Sequence, residues 1–198
     1  MNKNKERIFS IAAIVIIIDQ VIKILITTKM KVEDVITVIP NFFSIMYVKN
    51  KGAAFSILQD QKILLVIISL VVLFLLNKYI DRYKDFNKLS IISLGFIIGG
   101  IIGNLLDRLI QDGVIDFLSF QFGSYFFPVF NIADSFIVIG VGLLIISIIK
   151  EDKKKEELPL RERLSEGVEI IKNDKEDTNI KKKRTKKTTK KKNTKKKS

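Results

Sequence analysis

The sequence predicts an all-α membrane protein: four transmembrane helices, a small extracytoplasmic β-rich region and a disordered basic C-terminal tail. Three observations carry this. Four apolar stretches, at residues 8–28, 63–76, 89–106 and 128–149, are each close to the ~20 residues that cross a hydrocarbon core once tilt and flanking residues are allowed for. Lys and Arg gather in alternate connecting segments. From residue 151 onward the apolar runs stop, and residues 181–197 are almost pure Lys with Thr, Asn and one Arg. The expected division is a membrane domain over 1–150 and a charged tail over 151–198.

The first stretch alone would suit a secretory signal peptide, but four do not. Orientation follows from basic residues in short connections. Lys3, Lys5 and Arg7 precede the first span, Lys78, Arg82, Lys84 and Lys88 follow the second, and Lys150, Lys153, Lys154 and Lys155 follow the fourth. Four crossings put all three groups on one side, expected to be the cytoplasm. The loops at 29–62 and 109–127 then face outward. Within the first, Val35 to Ile39 and Phe42 to Val48 are β-branched and aromatic around Pro40-Asn41, a hairpin signal. Asn50-Lys51-Gly52 is a turn signal, and residues 53–58 suit a short interfacial helix. Pro128 suits the start of the last helix.

The formal charge of +13 is uneven. From Lys150 onward there are 20 Lys plus Arg against 10 Asp plus Glu, whereas the first 149 residues have 14 against 11. The tail cannot bury enough apolar surface to offset the cost of ordering. Its composition fits contact with anionic lipid, worth up to ~1 kcal/mol per basic residue near the surface, or non-specific RNA contact, or a solvated tail with no partner. The chain has no His and no Cys. A Ser-His-Asp triad, a Cys-His pair, a His zinc site and a thiolate cluster are thereby excluded.

The polar residues within the apolar stretches are few. A carboxylate at membrane depth costs roughly 2.5–3.5 kcal/mol or more, so each calls for a reason. Asp19 and Lys23 share a helix face at i, i+4, as an ion pair or as support for a site. Gly95, Gly99 and Gly103 form a small-residue stripe that admits a second helix. Asn104, Asp107 and Arg108 follow on one face; Asp107 and Arg108 suit a membrane boundary, while a buried Asn104 needs partners. Asp116 lies in Gly113-Val114-Ile115-Asp116-Phe117. Asn131 and Asp134 stand one turn apart at the start of the last span. Asp134 by itself suits a helix N-terminus. Together, Asp116 and Asp134 are the minimum for aspartyl hydrolysis: two carboxyl groups sharing one proton and a water.

Five segments in order carry a resemblance. They are Asp19-Gln20-Val21-Ile22-Lys23; Asn50-Lys51-Gly52-Ala53-Ala54-Phe55; Gly99 through Asp107-Arg108; Gly113-Val114-Ile115-Asp116-Phe117; and Phe127-Pro128-Val129-Phe130-Asn131-Ile132-Ala133-Asp134-Ser135. Over nearly all of residues 8–149 the chain resembles the bacterial lipoprotein signal peptidases (signal peptidase II), four-helix aspartyl proteases of the cytoplasmic membrane. The resemblance implies that Asp116 and Asp134 are the catalytic pair. It implies that Asn104, Arg108 and Asn131 line the site, with Ala133 beside them. It further implies that Asn50 and Gly52 belong to an outer loop closing over substrate, and that Asp19 and Lys23 support the site from the first helix. The implied substrate is a diacylglyceryl-modified prolipoprotein cut just before its lipidated Cys, with no metal or other cofactor, inhibition by globomycin, and a monomer sufficient. The tail lies outside the resemblance. Rival readings are a prepilin-type peptidase, whose motifs are missing, a small transporter using the buried charges as an ion path, and an anchor presenting the Lys tail to RNA.

Overall fold

The computed structural model describes residues 3–52, 58, 60–83, 86–111 and 113–156. The chain divides between Ile148 and Ile149, and every tertiary contact given below lies before that point. The interfacial helix expected at 53–58 falls almost wholly outside the described residues, as does most of the tail.

Four long helices are present: α1 (Lys3–Lys29), α2 (Lys62–Arg82), α3 (Lys88–Ile110) and α4 (Ile132–Glu156). Each contains a window long and apolar enough to cross a membrane. All but α4 begin before and outlast their apolar runs, because Lys, Asn and Arg at the ends are compatible with helix and reach toward polar surroundings. α4 starts four residues later than Pro128 predicts. Phe130 is bridged to Leu118, and its carbonyl accepts the backbone N–H groups of Phe117 and Leu118 at 3.0 and 2.8 Å. That pairing keeps the chain extended as far as Asn131.

α3 is the central helix and the most buried of the four. Its glycines explain how. A Cβ on Gly95 would lie 2.6 Å from Ile11, and one on Gly99 2.6 Å from Val15, so that edge of α3 packs directly on α1. A Cβ on Gly100 would lie 2.5 Å from the Ala133 carbonyl oxygen, so another edge receives α4. Gly95 and Gly99 of the small-residue stripe thus face α1, while Gly100, outside it, faces α4. Ile8, Ala12, Ile80, Ile91, Leu94 and Ile98 form the apolar core among α1, α2 and α3. At this end of the bundle Lys5 Nζ pairs with Asp81 at 2.6 Å, and Asn87 and Ser90 bond to Ser147 at 2.7 and 2.8 Å, tying the start of α3 to α4.

At the opposite end lies a four-stranded antiparallel sheet in the order β1-β2-β3-β4: β1 (Val35–Ile39), β2 (Phe43–Asn50), β3 (Val114–Phe122) and β4 (Tyr125–Phe126). The expected hairpin is β1–β2. The outer loop at 109–127 is not irregular: it holds β3 and β4. Gly113 precedes β3 at φ +135°, a conformation glycine adopts without a steric penalty. Val48 faces Asp116 and Asn50 faces Val114 in the β2–β3 register. Met30, Tyr47, Ile115 and Phe117 form a second apolar core beneath this sheet.

Candidate active site

Asp116 enters the site from β3 and Asp134 from the first turn of α4. Two asparagines join them. Asn131 Nδ2 donates to Asp116 Oδ1 at 2.7 Å and to Asn104 Oδ1 at 3.0 Å. Asn104 Nδ2 donates to Asp134 Oδ1 at 2.7 Å. Asn131 also caps α4. Its Oδ1 accepts the Asp134 N–H at 3.0 Å, and its own N–H donates to Asp134 Oδ2 at 3.2 Å. An asparagine at this position satisfies one of the orphan donors of the first helical turn and leaves its amide nitrogen to reach both Asp116 and Asn104.

Asn50, at the end of β2, donates to the second oxygen of Asp116 at 2.9 Å. Its own oxygen accepts the Gly52 N–H at 2.9 Å, an Asx-type turn that fixes the amide. Asp116 is 2 % exposed. Burial, with the Asp134 charge adding to it, pushes its carboxyl up to about 7, against the opposing hydrogen bonds from Asn50 and Asn131. Arg108 closes one edge. Its guanidinium donates to the Asn104 carbonyl at 3.4 Å and the Gly52 carbonyl at 3.3 Å, and its charge acts on both Asp116 and Asp134.

Beneath this layer lies a buried charged cluster. Lys23 Nζ meets Asp19 at 2.8 Å, Asp107 at 2.8 Å and Asn104 Oδ1 at 3.0 Å. Gln20 Nε2 donates to Asp107 Oδ1 at 3.0 Å, to Asp19 Oδ2 at 3.2 Å and to the Gly103 carbonyl at 3.3 Å. With every acceptor shared in this way, the ions avoid the penalty of an unpaired buried charge. The cluster reaches the upper layer at three points. Lys23 fixes Asn104, Asp19 Oδ1 accepts the Ala133 N–H at 3.0 Å, and Asp107 Oδ2 accepts the Ile115 N–H at 3.1 Å.

All ten expected residues thus meet around one centre. Asp116, Asp134, Asn50, Asn104 and Asn131 form the upper layer. Arg108 and Gly52 form its edge, and Asp19, Lys23 and Ala133 its floor. Gln20 and Asp107 belong to that floor too and were not among the expected site residues. The signal for Asp107 was its i+3 spacing from Asn104, which puts both on one face of α3.

A cleft of about 920 Å³ opens over the two carboxyl groups. Val48 and Val114 of the sheet, Phe127 to Phe130, and Ile137 to Ile139 of α4 wall it. Apolar walls around a few convergent polar groups are the usual make-up of a binding or active site.

Comparison with known proteins points to one family. Residues 11–150 match the family described as Signal peptidase (SPase) II. Proteins named lipoprotein signal peptidase are similar in sequence. That of Clostridium tetani is 44% identical over 69% of this chain and 88% of its own, and that of Halothermothrix orenii is 40% identical over 74% and 97%. A solved structure described as a bacterial membrane enzyme superposes with a TM-score of 0.70 at 36% identity, covering 77% of this chain and 93% of that one. A second, described in the same words, gives 0.65 at 37% identity over 72% and 92%. The chain belongs to the signal peptidase II family of membrane proteases.

Proposed function

We propose that Asp116 and Asp134 are the catalytic dyad of an aspartyl endopeptidase that removes signal peptides from diacylglyceryl-modified prolipoproteins, cutting before the lipidated cysteine. The observation that carries this reading is the pair of asparagines, Asn131 and Asn104, which hold one carboxyl from a strand and one from a helix around a single cleft.

Asp116 lies where a proton is retained near neutral pH, which suits the general acid. Asp134 then acts as the base. It takes a proton from a water whose oxygen attacks the scissile carbonyl carbon, while Asp116 gives its proton to the carbonyl oxygen. On collapse the C–N bond breaks, Asp134 passes its proton to the leaving nitrogen, and Asp116 regains one from the hydroxyl. Arg108, through the Gly52 carbonyl, holds the 50–52 turn against the site. The diacylglyceryl group anchors the substrate cysteine at the membrane surface.

The charge pattern supports a multi-pass protein of the cytoplasmic membrane with both termini cytoplasmic and the dyad near the outer face. It also supports a peptidase domain over 1–150 and a separate tail over 151–198. A monomer supplies every group required.

The test is cleavage of a diacylglyceryl-modified prolipoprotein by purified protein, with and without globomycin. Cleavage blocked by globomycin is expected. Failure of well-folded protein to cleave, or equal cleavage of an unlipidated precursor, overturns the reading.

A further inference from the structure

The sheet has two chemically different ends. Residues 35–48 and 117–133 contain no Asp, Glu, Lys or Arg. The charges stand at one end: Lys31, Glu33 and Asp34 before β1, Lys49 and Lys51 at the end of β2, and Asp116 in β3. The register gathers the opposite end. Phe43 faces Phe120, Phe122 faces Tyr125, and Gln121 N–H donates to the Phe42 carbonyl at 2.8 Å. That end is aromatic and open: Phe42 is 42% exposed, Phe122 55%, Tyr125 56% and Phe126 65%. β1, the edge strand, is exposed along its whole length although four of its five residues are Val or Ile. An antiparallel sheet in water buries its apolar face and presents a polar one, and an uncovered apolar edge strand invites aggregation.

The lipid-facing surface of the bundle explains what covers it. Phe126 and Phe127 at the sheet tip lead through residues 128–131 into α4, whose Val138 and Ile139 are likewise exposed, so the tip adjoins the apolar outer surface of that helix. Aromatic side chains without charge are what the membrane interface accepts. We propose that the uncharged tip of this sheet, with β1, lies in the bilayer leaflet on its own side and anchors the sheet there by lipid contact. β3 runs from that anchor to Asp116, so the anchor sets the depth at which the dyad sits.

The absence of cysteine makes the test clean. Single variants Ile39→Cys, Phe126→Cys, Phe74→Cys and Glu33→Cys of the full chain carry a nitroxide label in vesicles of phosphatidylethanolamine and phosphatidylglycerol. Collision with oxygen, which favours lipid, is compared with collision with a water-soluble nickel chelate. Phe74, exposed midway along α2, is the lipid reference and Glu33 the water reference. Oxygen collisions exceeding nickel collisions at positions 39 and 126, as at 74, are expected. Nickel collisions dominating there, as at 33, overturn the proposal, and so does shielding from both, which signals a protein partner. Because the proposal rests on the helices crossing the bilayer, a water-like signal at 74 marks failure of that reading instead.

Discussion

Asp107 Oδ2 accepts the backbone N–H of Ile115 at 3.1 Å, one residue before Asp116. The same oxygen pairs with Lys23 at 2.8 Å. A charged cluster between α1 and α3 therefore fixes the backbone of the strand that presents a candidate catalytic carboxyl. Asp107→Ala removes this tether and leaves Lys23 with one carboxylate. Misplacement by ~1 Å costs about 10²-fold, and kcat is expected to fall by that order while KM changes less. Steady-state kinetics on lipidated substrate check this, and an unaltered kcat would rule out a positioning role.

Asp116→Asn and Asp134→Asn are each expected to reduce cleavage by at least ~10²–10⁴-fold, the range for a positioned acid or base. Both proteins should remain folded with some loss of stability, since the amide keeps the carboxyl's shape but turns one acceptor toward a donor. Thermal unfolding measured alongside the cleavage assay checks both halves. Near-normal turnover in either variant would remove it from the dyad.

The elevated carboxyl of Asp116 gives a pH dependence with a definite sign. As the acid, it must be protonated, so kcat/KM is expected to decline as pH rises through about 7. A pH profile with no deprotonation limb between about 6 and 8 would contradict that assignment.

The same shift bears on stability. The folded state holds the Asp116 proton up to about 7, and the unfolded state releases it near 3.8. Between those values the native state binds more protons, so its contribution to stability diminishes as pH rises and is constant above about 7. Asp116→Asn cannot titrate. Its melting temperature relative to the wild type should therefore increase from pH 4 to 7 and level off beyond. A difference independent of pH would show that Asp116 ionises as freely as in the unfolded chain.

Two glycines make a contrasting pair. A Cβ on Gly103 would lie 2.6 Å from Asp19 Oδ2, an atom also held by Lys23 and Gln20. Gly103→Ala should displace Asp19 from Ala133, lowering both stability and turnover. A Cβ on Gly142 meets nothing within 4 Å, so Gly142→Ala should be neutral or gain about 0.5–1 kcal/mol. Melting curves of the two variants decide the matter, and similar losses in both would argue against the Asp19 contact.

The helices were legible because an apolar run of span length is a local signal. So was the Asp19–Lys23 pair, which is a matter of i, i+4 spacing. β3 was not legible. Val114–Phe122 becomes a strand by pairing with β2, far away in sequence, and its apolar and polar residues do not alternate cleanly. The late start of α4 has the same origin, because Phe130 is held extended by β3. Asp107 suits a membrane boundary by its place in the sequence, since nothing local reveals that Lys23 and Ile115 meet it. The candidate pair Asp116 and Asp134 stands out through the order of the motifs, whereas the asparagine linkage between them is a property of the folded chain.

Asp19 caps the start of α4 across 114 positions of sequence. The first helix to be synthesised thus waits for the last, and the Asp134 turn lacks its partner until both have met beside α3. A chain that stops before Asn131 and α4 carries Asp19, Lys23, Asp107 and Asp116 but lacks Asp134 and the links that Asn131 makes to Asp116 and Asn104. The candidate site is thus divided between the two ends of the membrane-spanning sequence and is complete only where α1 and α4 share α3.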